Sequence, residues 1–430
     1  MATASFTNFN SLVYNNKKYL YAEKRLICRS SGLQKTLLLK EIRYFLLIHL
    51  TVPKIIDKFA IIIQVLIKTH CWPKIKDMKI LAINPGMIST KVGVFVDEEI
   101  VMHACINHPY DELCRYPFIM DEFDYRKEKL VEELQRQGYD MDFDVVVGRG
   151  GLVKPIESGV YELNDKVIED TMHPRLHHAC NLGSLIALSI AKEIPGCRAF
   201  TVDPGVVDEL EDVARITGLP EMPHQTIWHA LNQREIAKRY CKEHGEKYEE
   251  QDLIVCHLGS GISFAMHHHG KAIACSDALS GDGPFSPSRA GTLPSVQLIQ
   301  LCYSGQYTEK EMLRKVNGHS GLTAHLGTND VRIVEQRIKD GDEKARLILD
   351  AMIYSTARYL ASLAPVTYGH VDAVILTGAM SQSSYVSDSL TKRLEYLAPV
   401  FVYPGEDELT ALAHNVYRAL TGQQEIKIYE

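Results

Sequence analysis

Ile80-Leu-Ala-Ile-Asn84-Pro85-Gly86-Met87-Ile88-Ser89-Thr90-Lys91-Val-Gly-Val-Phe-Val-Asp-Glu-Glu-Ile-Val101 reads as an apolar strand, a glycine turn, a second strand, a polar turn and a third strand. The same succession returns as Leu253-Ile-Val-Cys-His257-Leu258-Gly259-Ser260-Gly261-Ile-Ser-Phe-Ala-Met-His-His-His-Gly-Lys-Ala-Ile-Ala274. A repeat at that distance is too long for a solenoid unit and suits a duplicated domain. Two such hairpins, their tight glycine turns facing each other across a cleft, would grip a polyphosphate from both sides.

Strands and helices alternate around each hairpin. Residues 127–137 have helical periodicity, and the short strand 143–147 ends in Gly148-Arg149-Gly150-Gly151. An apolar helix over 181–194 precedes a strand over 199–202, which ends in Asp203-Pro204-Gly205. The second half repeats the plan, with helices near 294–303, 309–315 and 342–364 and a strand over 373–376 ending in Thr377-Gly378-Ala379. A last helix, about 406–420, closes the chain. This order implies α/β layers. Polar groups gather where strands end, which is where open α/β sheets place ligands.

With 430 residues, 46% of them hydrophobic, the chain can bury two sizeable cores. The net charge is −7, although residues 1–77 hold 13 Lys+Arg against 4 Asp+Glu, so the body is acidic. An acidic body disfavours nucleic acid and anionic membrane as partners. The apolar runs at 44–53 and 59–67 are each too short to span a bilayer and are separated by Lys54, Asp57 and Lys58. No secretory signal pattern follows the first residue. Met78 reads as a natural start, with 1–77 an extension outside the catalytic fold. The ten cysteines are scattered without a Cys-x-x-Cys pair, which suits reduced thiols in a cytoplasmic enzyme.

Asn84-Pro-Gly86, followed by Ser89, Thr90 and Lys91, and His257-Leu-Gly259-Ser260-Gly261 are turns whose N–H groups can form anion-binding concavities. No Gly-x-x-x-x-Gly-Lys-Ser/Thr is present, so this is not a P-loop protein. Arg149 and Arg289 sit among glycines, which permit close approach, and a guanidinium offers a fork to carboxylate or phosphate. The competing reading is a solvated surface arginine. Asp203, at a strand end, can hold a metal, orient a substrate or form an Asx turn. Asp407 and Glu408 are candidates for magnesium or for first-turn helix acids. His267-His268-His269 reads as a solvated loop, whereas His177, His229 and His257 lie in or near candidate segments.

Taken in order, Asn84-Pro-Gly, Gly148-Arg149-Gly-Gly, Asp203-Pro-Gly, His229, His257-Leu-Gly-Ser-Gly261, Ser288-Arg289-Ala-Gly and Asp330-Val-Arg332 resemble the acetate and butyrate kinases over residues 78–430. These are carboxylate kinases of the actin-like ATPase superfamily. The wording of the motifs resembles butyrate kinase more than acetate kinase. The resemblance implies two duplicated actin-like (ribonuclease-H-like) α/β domains, about 78–225 and 226–430, with a cleft between them. The last helix would pack back on the first domain. It implies reversible phosphorylation of butyrate or a related short-chain acid by ATP with Mg²⁺ in a cytoplasmic homo-oligomer, at least a dimer. Asn84 and Arg149 would face the phosphoryl group, Asp203 and Arg289 would flank the acyl phosphate, and His229 and His177 would support the transfer. His257, Gly259, Ser260, Gly261, Asp330, Arg332, Gly378 and Ala379 would hold ATP, and Asp407 or Glu408 the metal. The family's small hydroxyl residues after Asn-x-Gly are here Met87 and Ile88, so that turn offers backbone contacts in place of hydroxyls. The alternatives are an acetate, propionate or branched-chain acid kinase, and a non-catalytic actin-like nucleotide-binding protein.

Overall fold

The first hairpin pattern folds as β1 (Lys79–Pro85), β2 (Ser89–Val96) and β3 (Glu99–Asn107), and the second as β7 (Asp252–Leu258), β8 (Ile262–His268) and β9 (Lys271–Cys275). They belong to a computed structural model that describes residues 77–430 apart from Arg175. The extension up to residue 76, with its two apolar runs, lies outside the described residues. Met78–Val416 and Ile426–Glu430 make one compact unit, which carries both hairpins and every candidate site residue; Tyr417–Glu425 falls outside it.

Between the hairpins run β4 (Val145–Arg149), β5 (Val160–Glu162) and β6 (Arg198–Val202). After them come β10 (Ala373–Gly378), β11 (Val400–Pro404) and β12 (Ile426–Ile428). The first sheet has the order β12-β5-β6-β4-β1-β2-β3, and the second β11-β10-β7-β8-β9. Without β5 and β12 the two orders are the same: an antiparallel three-strand meander, then two strands parallel to its first. In the first hairpin Asn84 pairs with Lys91, and in the second His257 pairs with Ser263. The duplication read in the sequence is therefore a duplication of topology.

Strand alternation sets which side chains meet which helix. In β7, Ile254, Cys256 and Leu258 pack with Leu349, Met352 and Leu360 of the helix Glu343–Ala361. Leu253 and Val255 point the other way, onto Ile236, Ala237 and Tyr240 of the helix Ala230–His244. In the first sheet, Leu81 and Ile83 pack with Leu130 and Leu134 of the helix Phe123–Arg136 and with Leu182 and Ile186 of the helix Asn181–Glu193. Leu409, in the first turn of the helix Glu408–Leu420, reaches Gly93 of β2. No described helix is long and apolar enough to cross a membrane. The eight described cysteines are all free, with Cys256 and Cys275 buried.

One expectation fails here. His267 does not lie in a solvated loop: β8 continues through it, burying it completely, and its Nδ1 meets the Tyr248 hydroxyl at 2.7 Å. Burial, and then Arg234, pushes this imidazole down to about 3. Only His269-Gly270 forms the polar turn, both with positive φ.

Candidate active site

β1, β4 and β6 are parallel neighbours, so their C-terminal ends, carrying Asn84, Arg149 and Asp203, open on one edge of the sheet. β7, β10 and β11 are likewise parallel, and present His257, Gly378 and the segment Gly405–Glu408. Gly378 has a φ of 93°, and a Cβ there would lie 2.5 Å from the Leu258 carbonyl oxygen. Only glycine allows β10 to end against the turn at 259–261.

Glu408 joins the two groups. Its Oε2 accepts from the Asn84 side-chain amide and from Arg149 Nη1 at 3.0 Å, and Arg149 also reaches Asn84 Oδ1 at 3.3 Å. Burial disfavours the charge on Arg149, but the carboxylate of Glu408, then Cys180 and Glu406, outweigh it and raise its pKa. Glu408 is 7% exposed, so this is a desolvated cluster and not a surface pair. Asp407 is different: it is exposed, and its Oδ1 accepts the Thr410 N–H at 3.2 Å, which caps the helix Glu408–Leu420. Asp407 thus serves as the helix cap, whereas Glu408 belongs to the buried cluster with Asn84 and Arg149.

Asp203 has a φ of 37°, a strained conformation for a non-glycine residue, and is 2% exposed. Its Oδ1 accepts the Gly159 N–H at 2.7 Å and its Oδ2 the Arg234 Nε at 3.3 Å. Arg234 also contacts Glu209 at 3.2 Å and the Gly270 carbonyl at 3.0 Å. The carboxylate is thus fixed by donors while each oxygen retains a free lone pair.

His229 and His257 stack with ring centroids 3.8 Å apart and an interplanar angle of 10°. His229 Nδ1 meets Ser263 Oγ at 2.7 Å, and His257 lies between Asn232 Oδ1 (2.7 Å) and Glu406 Oε1 (3.1 Å). Burial, then His257, Arg149 and Arg289, hold His229 well below the ordinary histidine value. Glu406 goes the other way. Burial opposes its charge, but the His257 hydrogen bond, together with His257, Lys91 and Arg149, brings it down to about 2.

Arg289 lies across the second turn. A Cβ on Gly261 would fall 2.0 Å from its Nη1, so the guanidinium rests directly on that backbone. Among the described residues it donates to a main-chain carbonyl, Ala278 at 3.1 Å, and forms no ion pair. Burial lowers its pKa to about 10, against the pull of Asp277. A half-buried guanidinium that forms no ion pair keeps donors for an anion.

The remaining candidates fall outside this cluster. Asp330 caps the helix Val331–Lys339 and pairs with Arg332 at 2.6 Å, both engaged with each other. His177 is exposed, whereas its neighbour His178 is half-buried and held down to about 4 by burial, then Arg149, Arg289 and Arg126. Sequence reasoning missed His178, Glu406 and Arg234. Doubled histidines and the acidic run Glu406-Asp-Glu408 marked two of these places without saying which member faces inward. Arg234 carried no local signal. The described residues hold one cluster of potential metal ligands by proximity, Asp252, His268 and His269, at the opposite end of β7 from His257.

A duplicated α/β core thus carries half-buried arginines and buried carboxylates at and near its strand ends, where open α/β sheets place ligands. The model of the acetokinase family matches residues 227–401. A probable butyrate kinase of Bacteroides thetaiotaomicron is 54% identical over 82% of this chain and 100% of its own length. Butyrate kinase 2 of Clostridium acetobutylicum is 44% identical over 82% of this chain and 99% of its own. The acetate kinase of Porphyromonas gingivalis superposes with a TM-score of 0.66 at 19% identity, covering 80% of this chain and 100% of that one. A propionate kinase of Francisella tularensis gives 0.62 at 18%, covering 79% and 98%. The chain belongs to the acetokinase family.

Proposed function

We propose that the protein transfers the γ-phosphoryl group of ATP to the carboxylate of butyrate and related short-chain fatty acids, reversibly, giving ADP and an acyl phosphate. The observation that carries this reading is Arg289, a half-buried guanidinium that forms no ion pair among the described residues and rests on the second glycine turn. The relatives named for butyrate, at 54% and 44% identity, favour that acid over acetate.

A carboxylic acid substrate is ionised at neutral pH, so no base has to activate it. That agrees with His229 and His178 staying neutral and serving as hydrogen-bonding groups. Phosphoryl transfer passes through a loose transition state, so positioning and charge neutralisation are the tasks left to the protein. Arg149 and Asn84 would face the transferring group from the first sheet, and Arg289 would take the acyl-phosphate oxygens from the second. Asp203, fixed by Gly159 and Arg234, positions the reacting carboxylate and its counter-charge and is not a base. The turn 257–261, with Gly378-Ala379 and Asp330-Val-Arg332, would hold the nucleotide. The oxygen donors of Glu408 and Asn84 suit Mg²⁺, which when bound offsets charge on the phosphate oxygens. The same reading takes 78–225 and 226–430 as the two domains, the cytoplasm as the location and a homo-oligomer as the working form.

Butyrate exceeds acetate by two methylenes, worth about 1.6 kcal/mol together if buried, at roughly 0.8 kcal/mol each. The test is an acyl-chain panel with ATP, trapping products with hydroxylamine. Highest kcat/KM for acids of four carbons, with neighbours within about tenfold, supports the reading. A clear preference for acetate would reassign the substrate.

A further inference from the structure

Among the described residues, Arg126 is the largest side chain with essentially no exposure. It stands on the helix Phe123–Arg136 and reaches under the β1–β2 hairpin. Its Nε donates to Glu122 Oε2 at 2.7 Å, and Nη2 pairs with the same oxygen at 2.7 Å. The remaining donors leave the helix. Nη1 donates to the Gly86 carbonyl at 2.8 Å and Nη2 to the Met87 carbonyl at 2.9 Å, with Thr90 Oγ1 at 3.3 Å from Nη1. Burying a guanidinium is costly unless its charge is paired and its fork is satisfied. Here both conditions are met, and the partners beyond Glu122 belong mostly to one turn.

A trans peptide is planar, so its N–H points opposite to its C=O. Two successive carbonyls drawn onto one guanidinium therefore turn the N–H groups of Met87 and Ile88 away from it. Among the described residues neither N–H donates to an acceptor. Both side chains stand in the open, 53% and 70% exposed, and neither carries a hydroxyl. Successive free N–H groups turned to one side form an anion-binding concavity.

We propose that Arg126 is a positioning residue, which fixes the N–H groups of Met87 and Ile88 as a two-donor site for phosphoryl oxygens. The idea rests on the phosphoryl-transfer reading above. It explains how the turn does without hydroxyl side chains: the donors are backbone groups, and the guanidinium behind them sets their direction.

The experiment uses the full chain and two variants. Arg126→Lys keeps the charge but loses the fork that spans two carbonyls, while Ile88→Pro deletes one N–H and leaves Arg126 alone. Each should lower kcat by about tenfold or more while KM for ATP stays within about threefold and Tm within about 5 °C. A variant with a lower Tm and near-normal kcat per folded molecule would mean that Arg126 is only structural, and the proposal falls. If Arg126→Lys does not fold, Ile88→Pro decides. Independently, protein labelled with ¹⁵N at Met and Ile should show shifts of the Met87 and Ile88 amides when inorganic phosphate is added. Unmoved amides overturn the proposal whether or not the protein makes acyl phosphate, whereas absent acyl phosphate with moving amides overturns the kinase reading alone.

Discussion

The two glycine turns occupy equivalent places in a repeated topology, yet different devices hold them. At the β1–β2 turn a buried guanidinium, Arg126, grips the carbonyls of Gly86 and Met87 from behind. At the β7–β8 turn a guanidinium, Arg289, lies on the front and touches the Gly261 backbone. That contrast decides where the sequence is free to vary. Side chains at the tip of the first turn point outward, so Met87 and Ile88 are accommodated. The second turn must be bare, because any Cβ at Gly261 meets the guanidinium. One arginine shapes a turn, and the other uses one.

The contrast can be broken most forcefully at Arg289. Its replacement by alanine should cut kcat about a hundredfold to a thousandfold, as for other groups that stabilise developing charge, with circular dichroism unchanged. Near-normal turnover would remove it from the chemistry. Gly261→Ala should cost about a hundredfold by displacing that guanidinium. Gly86→Ala should cost far less, because a Cβ there meets only Ser89 oxygen at 3.3 Å. Equal effects at the two glycines would erase the contrast between the turns. Glu408→Gln should raise the Mg²⁺ concentration needed for half-maximal rate by about tenfold. Asp407→Ala should leave that requirement alone and lower stability by about 1 kcal/mol, the cost of a lost cap.

A smaller effect comes from buried histidines. His108 and His178 are held down to about 4 and His267 to about 3, in each case mainly by burial. The folded protein keeps them neutral while the unfolded chain takes up protons below about 6.5, so unfolding is favoured as pH falls. Tm should hold above that value and decline progressively between about 6.5 and 3. A Tm that rises over this window would contradict the burial of these rings.

Much of the fold, and the placement of several candidate site residues, was legible in the chain because the signals are local. Alternating apolar residues and glycine turns mark both hairpins, and Arg149, Asp203 and Arg289 announce themselves by neighbouring glycines. What was not legible depends on tertiary placement. Glu406, Asp407 and Glu408 are consecutive, so their side chains diverge as the helix begins, and only the fold shows that the middle one becomes the cap. Arg126 sits in a helix with alternating charges and looks like a surface residue, and its burial exists only because the β1–β2 turn lies over it. His267 seemed part of a polar run because its partner, Tyr248, comes from a different element.

Transfer of phosphate to a carboxylate is tested most directly by incubating the full chain with Mg²⁺, ATP, butyrate and hydroxylamine, and comparing hydroxamate formed with ADP released. Butyryl hydroxamate should form in step with ADP, and none should form without the acid. ADP release that does not depend on butyrate, or nucleotide binding with no hydroxamate, would contradict a carboxylate kinase.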